Sequence, residues 1–154
     1  MGITRYVATA DAEITNAYKS DLRTRATGSN MGAVDTMGLF SIYGQSTSSS
    51  IEQARALLQF DMNTIKNDRS NAAIPASGSV NFYLRMFNSA HPFTLPSDFN
   101  LIVRSVKNRS WVEGDGKDAD EYSDHGAVNW ISSSQGTTWT SAGGDYHAES
   151  PSTR

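Results

Sequence analysis

Alternation of apolar and polar side chains sets the first expectation. In ARALLQFDM (54–62), Ala56, Leu58, Phe60 and Met62 interleave with Arg55, Leu57, Gln59 and Asp61. Near-strict period two predicts a strand with one buried and one wet face, Leu57 being the exception. SGSVNFYLRMFNS (77–89) repeats the pattern, with Val80, Phe82, Leu84 and Met86 on one face and Tyr83, Arg85 and Phe87 on the other. FNLIVRSVKN (99–108) predicts a further strand. Between these two lies AHPFTLPSD (90–98), whose two prolines forbid regular pairing. MGLFSIYGQ (37–45), ITRYVA (3–8) and DAEITN (11–16) complete the strand candidates.

The segments between them lose periodicity. Residues 17–33 and the serine-rich 46–50 read as loop and turn, and 63–75 holds at most one helical turn. Beyond Trp111 the chain is loop-like, with short aromatic islands at VNWI (128–131) and GTTWT (136–140). No segment predicts a helix of ten residues, and neither a repeat nor a linker is visible. The expected architecture is all-β: one domain over 1–154, an antiparallel β-sandwich or jelly roll, loop-rich at 10–33 and 111–154.

Composition narrows the function. Hydrophobic residues make up 38% and charged residues 19%, with Ser, Thr, Gly and Asn abundant, which suits a β-rich domain. The net charge of -3 argues against a nucleic-acid partner, which calls for a basic surplus. Residues 111–154 carry 2 Lys/Arg against 8 Asp/Glu, so the acidic excess is local. Without cysteine there are neither disulfides nor thiolate metal sites. No apolar run approaches the roughly 18 residues of a membrane span, and the N-terminus lacks the apolar core of a signal peptide. Met1-Gly2 opens like a myristoylation signal, but Tyr6 breaks that motif. These features fit a cytoplasmic protein or a virion component assembled in the cytoplasm and released by lysis.

WVEGDGKDADEYSDHG (111–126) concentrates six carboxylates in sixteen residues. Glu113, Asp115, Asp118, Asp120 and Asp124 are hard oxygen donors at spacings that calcium accepts. An EF-hand started at Asp118 fails, because Tyr122 takes the fifth position and Ser123 the glycine position. Two readings stand: a calcium site of another kind that pins a long loop, and a solvated acidic loop whose Asp and Gly make turns. A glycosidase pair needs two acids facing each other across a cleft, which neighbours in one loop seldom do. His91, His125 and His147 are scattered, and the serines lack a nucleophile elbow. Trp111 and Trp130 are expected to plug the core. Trp139, Tyr83 and Phe87 are the candidates for a protein interface or a sugar-stacking surface.

The ordered pieces ADAEITNAY, ARALLQFDMNTI, SVNFYLRMF, SWVEGDG, NWI and GTTWTSAGGDY resemble the DNRLRE, or disaggregatase-related, β-sandwich family over roughly residues 11–146. The likeness rests on Arg55 to Asp61, on Trp111, Glu113, Gly114 and Gly116, and on Trp139 with Gly143 to Tyr146. It implies a non-catalytic module of polysaccharide-degrading or cell-surface proteins that binds carbohydrate. The opening 1–33 and FSIYGQ look closer still to small structural proteins of marine tailed bacteriophages. Such domains continue for two or three strands past Gly-Gly-Asp-Tyr, so three expectations stand: an incomplete sandwich, a fragment of a longer chain, or strands supplied by a partner. The expected role is a non-enzymatic virion structural protein contacting other virion proteins and copies of itself. The alternative is a carbohydrate-binding module, extracellular or at a cell surface, that takes polysaccharide; for either role calcium is the one candidate cofactor.

Overall fold

The computed structural model describes residues 2–43, 51–76, 78–92, 98–107, 110–123 and 126–148. Among them are five strands, β1 (Ala10–Thr15), β2 (Phe40–Tyr43), β3 (Ile51–Gln59), β4 (Ser132–Ser134) and β5 (Thr137–Thr138), and one helix, α1 (Met62–Ser70). The fold is β-rich. β1, β3 and β2 form a three-stranded sheet in that order, and β4 and β5 a two-stranded one. The chain divides into two compact units: Met1–Ala10 with Leu58–Pro96, and Asp11–Leu57 with Ser97–Arg154.

The second, larger unit holds the hydrophobic core. β2 pairs antiparallel with β3, Phe40 opposite Ala54 and Tyr43 opposite Ile51. Ala12 and Ile14 of β1, Ala54 and Leu57 of β3, Met31, Val128 and all three tryptophans are buried. Leu57, which breaks the alternation, is thus a core residue. β4 and β5 form a hairpin closed by Gln135-Gly136, with Gly136 at φ 69°. That left-handed conformation is one glycine adopts without steric cost. The strands lie just after VNWI and inside GTTWT, where three serines in a row hid the strand pattern.

The smaller unit is built around α1. Asp61 caps the helix by accepting from the N–H groups of Asn63 and Thr64 and from the Thr64 hydroxyl. These bonds, Thr64's first, hold the Asp61 carboxyl below its ordinary value. The helix therefore runs past the single turn expected from 63–75, because the cap satisfies its orphan N–H donors. No residue of α1 is buried. The Tyr6 hydroxyl donates to Asp68, and the Thr9 N–H donates to the Gln59 carbonyl. Among the described residues Ile74 is this unit's one buried hydrophobic side chain.

Three expected strands differ. Residues 3–8 and the described part of 77–89 are irregular, and 98–107 contributes only an isolated bridge between Val106 and Tyr146. Alternation gives a side chain two faces, but a strand exists only where a second strand takes up its main-chain hydrogen bonds. The serine-rich turn 46–50 lies outside the described residues.

Glu13 of β1 is buried and accepts from the Gly38 N–H. Burial pushes its carboxyl above the ordinary value, partly opposed by that hydrogen bond. A raised folded-state pKa means stability is fully present below the unfolded value and lost as pH rises through the folded one. Relative to Glu13→Gln, the wild-type chain is therefore expected to gain stability on acidification from neutral pH toward the ordinary glutamate range. Urea unfolding at a series of pH values measures this, and two parallel stability curves would contradict it.

Candidate functional site

The acidic stretch is anchored, and its anchor is Asn30. This side chain is 1% exposed. Its Nδ2 donates to the Glu113 carbonyl at 2.7 Å and the Val128 carbonyl at 2.8 Å. Its Oδ1 accepts from the Gly116 N–H at 2.8 Å and the Gly32 N–H at 3.4 Å. Both donors and both acceptor sites of the amide are thus engaged. The Asn30 N–H bonds the Tyr122 carbonyl, the Ala33 N–H bonds Gly116, and the Ser29 hydroxyl donates to Ala119. Two loops far apart in sequence are fastened by one buried amide and its neighbours.

The glycines of the WVEGDG motif serve this close approach. A Cβ at Gly116 would sit 2.0 Å from the Asn30 carbonyl oxygen, and one at Gly32 would sit 1.9 Å from that of Glu113. Gly114 at φ 80° has equally little room, with Ala127 and Asn30 against it. On the far side, Val112 N–H bonds Ser133 and Val128 N–H bonds Val112. Trp111 is buried there.

The carboxylates proposed as calcium ligands are distributed along this loop. Glu113 accepts from the Asp11 N–H at 2.7 Å. Asp118 accepts from the N–H groups of Asp120 and Glu121, which turns the loop. Asp120 accepts from the Ser20 N–H, while Lys19 reaches the Asp120 carbonyl and the Ser123 hydroxyl. Asp115 is exposed, and Asp124, like His125, lies outside the described residues. Among the described residues no three His, Asp or Glu side chains converge. Three of the acids thus accept main-chain N–H groups, an order that follows from the sequence's own donors.

A second cluster surrounds Arg55. Its guanidinium lies 4.8 Å above the Trp130 ring and 5.5 Å from that of Tyr146. It donates to the Gly143 carbonyl at 2.6 Å and to Gln53 at 3.1 Å. Arg104 covers Tyr146 at 4.6 Å. Gly143, at φ 89°, has Trp130 and Arg55 against its missing Cβ. Arg55 of β3 and the segment Gly143–Tyr146 therefore meet through a hydrogen bond and a cation–π contact.

Trp139, named as a candidate stacking surface, is 5% exposed, and its indole N–H donates to the Asn129 carbonyl. It belongs to the core with Trp111 and Trp130. The aromatic bulk that plugs a small core is the same that would stack a sugar, and its sequence position did not separate the two. Tyr83 and Phe87 are 87% and 79% exposed. An open depression of about 350 Å³, of mixed polar and apolar lining, lies among Lys19, Thr24, Arg25, Ser123, Asn129 and Ile131. Its residues come from segments that read only as loop, so no local pattern marked them. No protein family, curated protein or solved structure matches this chain.

Replacing Asn30 by Asp keeps the shape but removes both donors. It is expected to cost about 3 kcal/mol or more, since two buried carbonyls lose their partners. Gly116→Ala should cost a similar amount through the clash with Asn30. Chemical denaturation reads both, and a loss under about 0.5 kcal/mol, the range of surface changes, would contradict the anchor. Chelation with EGTA separates the two readings of the acidic loop: a loop held by its own hydrogen bonds keeps its melting temperature, and a fall marks a calcium site, with Glu113, Asp115, Asp118, Asp120 and Asp124 as its candidate ligands.

Proposed function

We propose that this chain is a non-catalytic structural protein of a tailed-phage virion, a head-decoration, neck, tail or fibre component. It works by holding neighbouring proteins through buried surface. The observation that carries this reading is the exposed aromatic run in the smaller unit. Phe82, Tyr83, Leu84, Met86 and Phe87 all stand in water, although single-chain proteins seldom leave such runs uncovered. Side chains of this size are the anchors of protein interfaces.

A further feature supports it. The acidic loop uses Asp118 to fix its own backbone and Glu113 and Asp120 to hold the main chain of Asp11 and Ser20, which is structural work. Among the described residues no helix is long and apolar enough to cross a membrane. The resemblance in the ordered motifs favours a complete antiparallel sandwich, and a partner supplying strands would complete the sheet.

The alternative, a carbohydrate-binding module of the DNRLRE type, is favoured by the open ring faces of Tyr83 and Phe87 and by the open depression beside Lys19 and Arg25. One experiment separates the two readings. Particles released by lysis of the native host are banded on a density gradient and probed with antibody to this chain, and the purified chain is titrated calorimetrically with polysaccharide. The structural reading expects the chain in the particle band and no heat from glycan. A chain absent from particles that binds glycan would overturn it.

A further inference from the structure

We infer that residues 79–90 form an intermolecular strand, pairing antiparallel with the same segment of a second copy of this chain. The inference rests on the structural reading above and names the partner and the geometry.

The first ground is the main chain. Among the described residues none exchanges a main-chain hydrogen bond with 80–90. The segment is not helical, and its alternation is that of a strand with both faces in use. An unpaired run of this kind is a template for strand addition.

The second ground is the poverty of the smaller unit's own core. It buries Ile74 while leaving Met62, Phe82, Tyr83, Leu84, Met86 and Phe87 exposed. A unit that exposes more large apolar side chains than it buries lacks the main driving force of folding and gains it by association.

The third ground is self-complementarity. In a strand over this segment Phe82, Leu84 and Met86 share one face and Tyr83 and Phe87 the other, all of them exposed. Antiparallel pairing with a second copy sets apolar side chains beside apolar side chains on each face, which is the unit of sheet stabilisation. A second copy supplies that match with no further assumption, because an isologous pair uses one segment twice.

The fourth ground is charge. Arg85 is the only charged residue between 79 and 90. Centred on Leu84, antiparallel pairing sets each Arg85 opposite Tyr83 of the second copy. The cation then meets an aromatic face instead of another cation, as it already does with Phe87 at 4.7 Å.

Sedimentation equilibrium of the full chain over a hundredfold concentration range tests this. Two variants accompany the wild type: Tyr83→Glu with Phe87→Glu, which charges the patch, and Leu84→Pro, which removes a ladder N–H while keeping the aromatic side chains. These positions are exposed, so far-ultraviolet dichroism of dilute monomer is expected to be unchanged. The wild type is expected to form a dimer, and both variants to bind at least about tenfold more weakly. A wild type that stays monomeric throughout overturns the inference. So does a Leu84→Pro chain that dimerises as well as wild type, since packing without backbone pairing would then suffice. A monomer that still bands with particles would overturn the second copy as partner and leave the structural reading intact.

Discussion

Every main-chain N–H and carbonyl withdrawn from water must find a partner, and the described residues hold few long strands or helices to provide one. The larger unit meets that constraint with side chains. Asn30 joins Glu113, Val128 and Gly116; Glu113 takes the Asp11 N–H; Asn129 takes those of Ile131 and Ser132; Asp145 takes those of Thr140 and Ser141. The abundance of Asn, Asp, Ser and Gly in the sequence is thereby explained. These residues stand in for the sheet ladder through the long irregular segments, and the three buried tryptophans pack beneath them.

The same constraint separates the two units. In the larger one, close loop approach requires glycine at Gly32, Gly114, Gly116 and Gly143, and a side chain at any of them would push apart the bonded groups. In the smaller one, Asp61 caps the helix and Tyr6 bonds Asp68, but the main chain from 80 to 90 finds no described partner. Glu113, Asp118 and Asp120 thus order main chain in the larger unit, while the smaller unit leaves Phe82, Tyr83 and Phe87 exposed.

What the sequence made legible follows from range. Alternation located β3 because it is a local property, but the strand, Ile51–Gln59, starts earlier than 54–62, where β2 pairs with Ile51 through Ala54, and ends earlier, where Met62 opens the helix. Ala54 and Leu57 are buried instead of the expected face of Ala56, Leu58, Phe60 and Met62. β1 and β2 fell where short apolar runs placed them. The helix exceeded its expectation because one cap, Asp61, outweighed a weak apolar pattern. The strands at 77–89 and 99–108 were expected on alternation alone, and alternation does not reveal whether a partner strand is present. The candidate site shows the same limit. The acids of 111–126 could be named, yet the placing of their loop depends on Asn30, more than eighty residues earlier, just as Arg55 meets Gly143 from a distant segment. No spacing within one segment encodes such a meeting. Trp139 and Tyr83 looked alike as aromatic candidates, and only packing distinguished the buried ring from the exposed one.

Amide hydrogen exchange, read residue by residue at low and at high protein concentration, tests the central claim most directly. The N–H groups of Asn30, Gly116 and Val128 should be protected equally at both, since their partners lie within the chain. Those from Val80 to Asn88 should exchange freely when dilute and become protected when concentrated. Protection of 80–88 that is already complete at high dilution would mean that the chain supplies the missing partner itself, and would contradict the account.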